Sequence, residues 1–106
     1  CMIARPFKLR WHVDVAEAQL IAARDDAALL DVRESDDFRQ GHVDGARNVT
    51  ENDLPQLVEE LSKSAPLVIY CYHGNSSQLY ARFFTAQGFS EVYSVDGGYE
   101  AWRAAS

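Results

Sequence analysis

This chain of 106 residues has only two cysteines, Cys1 and Cys71, and no CxxC pair. Without a Cys/His cluster, a structural zinc site is not expected. Cys1 stands at a terminus, where order is usually poor, so a Cys1–Cys71 disulfide is disfavoured. Positive charge is also scarce: 10 Lys and Arg against 16 Asp and Glu leave a net charge of −6, which argues against a protein that binds nucleic-acid phosphates. No apolar run approaches the ~20 residues that cross a bilayer, so no membrane partner is expected. The first residues, Cys1 to Pro6, lack the apolar stretch of a signal peptide, and a cytoplasmic location is expected. Repeats, low-complexity tracts and Gly/Ser linkers are absent as well.

What is present suits one globular domain. Hydrophobic residues make up 47 % of the chain and charged ones 25 %, enough to bury a core and too apolar for disorder. Residues 1–10 read as an N-terminal extension or cloning remnant, with the domain over 11–106.

Short apolar runs alternate with amphipathic stretches, the pattern of an α/β fold. Trp11–Val13 reads as a short strand, and Asp14 as the cap of a helix through Ala16, Leu20, Ile21 and Ala23. Ala27–Val32 reads as a buried strand, and Ser35 as the cap of a helix from Asp36 to Gln40 that stops at Gly41. A strand is expected over Ala46–Val49. Thr50 and Asp53 have capping-box spacing before a helix with Pro55 in its first turn and Leu54, Leu57, Val58 and Leu61 on one face. Leu67–Cys71 is the strongest strand. The following helix has Leu79, Tyr80, Phe83 and Phe84 as its expected buried stripe and ends at Gly88. Val92–Val95 reads as the last strand, and Asp96-Gly97-Gly98 as a turn into a short helix containing Trp102. The expectation is a mostly parallel central sheet flanked by helices, with any ligand bound outside the carboxyl ends of its strands.

Cys71 lies at such an end. The segment Cys71-Tyr72-His73-Gly74-Asn75-Ser76-Ser77 joins a buried strand to a helix N-terminus. Gly74 and Asn75 tolerate left-handed backbone, and Ser76 and Ser77 suit an N-cap. Such a loop can turn its N–H groups inward as an anion nest, where the helix dipole adds positive potential and thiolate is favoured. From Leu67 through Ser90 there is no Asp or Glu, although the chain as a whole is acidic. A buried, inert cysteine before an ordinary turn is the competing reading.

The loop from Cys71 to Ser77 resembles the active-site loop of short bacterial thiosulfate sulfurtransferases in the rhodanese family. Three further segments agree with that family: Leu30-Asp31-Val32-Arg33-Glu34, Gly41-His42-Val43-Asp44-Gly45-Ala46, and Val95-Asp96-Gly97-Gly98-Tyr99-Glu100-Ala101-Trp102. The resemblance implies a three-layer rhodanese-like α/β domain. Cys71 would take the outer sulfur of thiosulfate or a similar donor and hold it as a persulfide. It would then pass the sulfur to cyanide or a thiol, for which a thioredoxin-like protein is one candidate carrier. Backbone N–H groups of Tyr72, His73, Gly74, Asn75, Ser76 and Ser77 would hold the anionic sulfur, the two serines serving through N–H and capping rather than through their hydroxyls. No metal and no organic cofactor is implied. His73 has either a role at the donor or an exposed place in the loop.

Asp31, Arg33, His42 and Asp96 are expected to be structural residues near the site. Arg33 would tie the strand end in an ion pair with Glu34 or another acid. His42 would bond near the Asp31–Arg33 segment, and Asp96 would organise the Gly97-Gly98 turn. Glu51, Asp53, Glu59 and Glu60 read as a solvated helix face, and Phe83, Phe84, Phe89 and Trp102 as core.

Two departures from the family are visible. Ser76, Ser77 and Gln78 stand where many family loops carry Lys or Arg, which implies modest thiosulfate affinity. Asp44 replaces a frequent Pro. A phosphatase or arsenate reductase of the Cys-x5-Arg type is disfavoured, because the Arg that would clamp the anion is Ser77 here. The alternative is a non-catalytic or carrier module within a larger redox or sulfur-relay protein.

Overall fold

The computed structural model describes residues 12–72 and 76–105. Among the described residues, five strands form one wholly parallel sheet: β1 (His12–Val13), β2 (Ala28–Asp31), β3 (Arg47–Asn48), β4 (Leu67–Tyr70) and β5 (Val92–Val95), in the order β1-β5-β4-β2-β3. Helices α1 (Val15–Ala22), α2 (Ser35–Gln40), α3 (Leu54–Glu60), α4 (Ser76–Ala86) and α5 (Gly98–Ala105) make the crossovers and flanks. A 3-10 turn over Glu51–Asp53 leads into α3.

β4 sits at the centre with all four residues fully buried, which explains its unbroken apolar run. Side chains alternate across a strand, so its residues divide between two cores. Val68 and Tyr70 join Val15, Ala18, Ile21 and Trp102 from α1 and α5. Leu67 and Ile69 join Leu57, Ala81, Phe84 and Phe89 around α3 and α4. By the same alternation Cys71 continues the face of Leu67 and Ile69, towards α4.

Caps read from the sequence are present at two places. Asp14 accepts the Glu17 N–H at 2.8 Å, and Thr50 N–H donates to the Asp53 carboxylate at 2.9 Å. At α2 the cap is Glu34, not Ser35, which lies inside the helix. Gly41 ends that helix in extended backbone (φ 172°) rather than in a left-handed cap. Asp53 and Glu60 are engaged rather than merely solvated, Asp53 in its cap and Glu60 with Arg47 at 2.8 Å.

Two helical stripes differ from expectation. Leu20 of α1 is 75 % exposed, because Val15, Ala18 and Ile21 form the buried row. In α4 the inward row is Ser77, Ala81 and Phe84, which leaves Leu79 67 % exposed. The small residues Ser77 and Ala81 sit innermost because the helix start lies close against the strand ends. Leu79→Lys should therefore shift unfolding free energy by less than ~0.5 kcal/mol, whereas Phe84→Ala should cost about 3–5 kcal/mol. Urea unfolding of the two variants checks this ordering. Equal costs would contradict the observed stripe.

Candidate active site

The site gathers where β2, β4 and β5 end. Cys71 follows β4 directly and is only 5 % exposed. Its Sγ donates to Ser77 Oγ at 3.5 Å. Ser77 lies in the first turn of α4, and its hydroxyl pairs with Ser94 Oγ of β5 at 2.7 Å. Both serines are buried, at 0 % and 1 % exposure. The hydroxyl of Ser77 is thus engaged at the sulfur, where the sequence pointed to its N–H and to capping rather than to the hydroxyl. Ser94 is an addition the sequence reading missed. The available signal was a lone polar residue at a core-facing position of the Val-Tyr-Ser-Val strand. Ser76 opens α4 and is exposed; His73, Gly74 and Asn75 lie outside the described residues, as does Cys1.

The peptides after Cys71 are held by the start of α5. Tyr99 N–H donates to the Cys71 carbonyl at 2.7 Å, and Glu100 N–H to the Tyr72 carbonyl at 3.3 Å. Gly98, at φ +59°, lies so close that a side chain there would run into these same two residues. This contact explains why glycine follows glycine at the turn. A left-handed residue is needed, and no Cβ fits.

Asp31 and Arg33 form a buried pair beneath the loop. Arg33 donates to both Asp31 oxygens, Nη2–Oδ2 being 2.7 Å, and to the Gly41 carbonyl at 2.6 Å. Of the acids expected to pair with Arg33, Glu34 or another, it is Asp31 that does so, because Asp31 at the strand end lies inside the core while Glu34 stands at the α2 cap. Burial works against the Arg33 charge, but the Asp31 carboxylate outweighs it and pushes the guanidinium pKa up. The guanidinium carbon lies 5.3 Å from the Tyr72 ring centre and 4.1 Å from that of Tyr99, within cation–π range. Tyr70 lies beside the pair. Burial first, and the Asp31 carboxylate second, push its phenol up, so its oxygen stays protonated and accepts the Val43 N–H at 3.1 Å.

His42 and Asp96 differ from their expected partners. His42 stacks on Phe38 with ring centres 3.7 Å apart and bonds the Phe38 carbonyl at 2.8 Å. It is the carbonyl of the preceding residue, Gly41, that reaches the Asp31–Arg33 pair. The Asp96 carboxylate meets His12 Nδ1 of β1 at 3.1 Å, and its N–H donates to the Val13 carbonyl. Asp96 thus ties β1 to β5, while the two glycines shape the turn.

A wholly parallel sheet with a buried cysteine at the end of its central strand, before a helix N-terminus and against a Gly-Gly turn, defines an α/β domain with a candidate thiol site. The model of the rhodanese-like domain matches residues 14–105, and the chain belongs to that family. A thiosulfate sulfurtransferase GlpE of Pseudomonas aeruginosa is 42 % identical over 85 % of this chain and 83 % of its own length. One from Tolumonas auensis is 38 % identical over 87 % of both. The solution structure of a rhodanese-like domain from Anabaena superposes with a TM-score of 0.76 at 24 % identity, covering 90 % of this chain and 74 % of that one. By this kinship the protein is an enzyme of the sulfurtransferase class.

Proposed function

We propose that the protein carries sulfane sulfur from thiosulfate to a nucleophilic acceptor through a persulfide on Cys71. The observation that carries this reading is the position of Cys71: a thiol held at the carboxyl end of the central strand, six residues before the buried Ser77 of α4. In the first step the Cys71 thiolate attacks the outer sulfur of thiosulfate. The Cys–S–S bond forms, the sulfur–sulfur bond of thiosulfate breaks, and sulfite leaves with the electron pair. In the second step cyanide or a thiolate attacks the terminal sulfur, and Cys71 leaves as thiolate. Both steps are charge-balanced displacements at sulfur that need no metal or organic cofactor, and their order is ping-pong.

Backbone N–H groups from Tyr72 to Ser77, at the start of α4, would hold the terminal anionic sulfur, as preorganised donors do at other developing charges. The scarcity of fixed positive charge at Ser76, Ser77 and Gln78 suits a high KM for thiosulfate. In the cell a thiol acceptor, free or on a thioredoxin-like protein, would take the sulfur. A cytoplasmic setting suits a catalytic thiol, which must stay reduced.

The test is thiocyanate formation from thiosulfate and cyanide by the parent and by Cys71→Ser. Turnover is expected from the parent alone, with a mass gain of one sulfur after thiosulfate treatment. Absence of both from the parent would reject this reading.

A further inference from the structure

We propose that the buried hydroxyls of Ser77 and Ser94 form a reversible hydrogen-bond relay that holds Cys71 Sγ in both its thiol and its thiolate form. The proposal rests on Cys71 being the nucleophile and adds two positioning residues to it. Three observations carry it. Ser77 Oγ is 3.5 Å from Sγ, Ser94 Oγ is 2.7 Å from Ser77 Oγ, and all three side chains are shut away from water. A hydroxyl is both donor and acceptor, so such a row can run in either direction. In the thiol form Sγ–H donates to Ser77, and Ser77 donates to Ser94. When the thiol proton leaves to bulk water, both hydroxyls turn. Ser94 then donates to Ser77, and Ser77 donates to the sulfur anion. Only hydrogen bonds change.

The two residues come from separate elements for a geometric reason. Cys71 continues the face of Leu67 and Ile69, and the sheet register sets Ser94 of β5 beside Ile69. Ser77 opens the buried row of α4 over that same face. Burial alone would disfavour the thiolate. A donor already bonded from behind offsets that cost twice per turnover, when Cys71 attacks the donor and when it leaves the persulfide as thiolate.

The charged residues of the surrounding elements, including the exposed Arg82 of α4, are the same in every variant. Asp31 lies against Arg33, Asp96 against His12, and Glu100 against Arg103. Tyr72 and Tyr99 flank Arg33. His73 is in the same loop sequence and is left in place throughout.

The experiment is an ultraviolet thiolate titration of the parent, Ser77→Ala, Ser94→Ala and the double variant, each against its Cys71→Ser counterpart so that Cys1 and the tyrosines cancel. Loss of a hydrogen bond to a charged group should move the midpoint of Ser77→Ala up by about one pH unit, a tenfold smaller thiolate fraction below the midpoint. Ser94→Ala should move it about threefold in the same direction, and the double variant no further than Ser77→Ala, because the relay acts as one unit. A merely structural role would lower thermal stability without moving the midpoint. Midpoints of both single variants within about 0.2 unit of the parent would overturn the relay, and so would additive shifts. Should Ser77→Ala fail to fold, Ser94→Ala decides by itself. The titration reads the relay whether or not thiosulfate is the donor, whereas thiocyanate formation by the parent reads the proposed activity.

Discussion

Gly98→Ala is expected to lower stability by about 3 kcal/mol and sulfur transfer by about a hundredfold. A Cβ at residue 98 would lie 2.6 Å from both the carbonyl carbon and the carbonyl oxygen of Tyr72, and closer still to the Cys71 carbonyl. These are backbone atoms, which cannot swing aside as a side-chain tip can. Overpacking of this kind costs about 1–3 kcal/mol, and left-handed backbone with a side chain about 1 kcal/mol more. For a domain of this size the melting point should fall by about 10–20 °C. The kinetic loss follows because the displaced peptides begin the loop proposed to hold the sulfur, and a shift of about 1 Å in a reacting group can cost about a hundredfold. Gly45→Ala is the matched comparison: it too has positive φ, +85°, but nothing lies within 4 Å of its added Cβ. It should lose about 1 kcal/mol and keep its turnover. Melting curves and thiocyanate rates for the pair decide the matter; similar losses in both would mean that backbone strain, not contact with the loop, governs residue 98.

Arg33→Met should destabilise the protein by about 3–5 kcal/mol, because it strands a carboxylate that is fully buried. Asp31 ends β2 opposite Tyr70 of β4 and is fully buried there, where water cannot replace the lost guanidinium. The double variant Asp31→Leu/Arg33→Met should recover more than half of that loss, since two apolar side chains leave no bare charge. Urea unfolding of single and double variants measures this. A double variant as unstable as Arg33→Met would show that the Gly41 carbonyl and the Tyr72 and Tyr99 rings, rather than the pairing with Asp31, are what Arg33 sustains. Because Arg33 lies against both rings, activity should fall further than stability alone implies.

Much of this architecture was legible in the residues themselves. The run Leu67–Tyr70 could only be a strand buried on both faces, because its apolar side chains alternate between two cores. Asp14 and Thr50–Asp53 act locally, within one turn of chain, and local hydrogen bonds can be read from spacing. Cys71 at a strand end before a helix is likewise a statement about neighbours in sequence, and the four family segments follow in order along the chain.

Other features depend on which elements meet in space. Leu79 points outward and Ser77 inward because α4 lies over the strand ends with its first turn closest to the sheet, which favours small residues there over large ones. Arg33 selects Asp31 rather than Glu34, and Asp96 selects His12, because ion pairing depends on distance and burial in space, not on adjacency in the chain. Ser94 joins Cys71 only through the parallel register of β4 and β5 and the crossing of α4. The chemistry proposed for Cys71 was therefore legible locally, in one strand and one loop. What meets the sulfur from elsewhere in the chain, namely Ser94 behind Ser77 and Gly98 against its peptide, was decided by long-range packing.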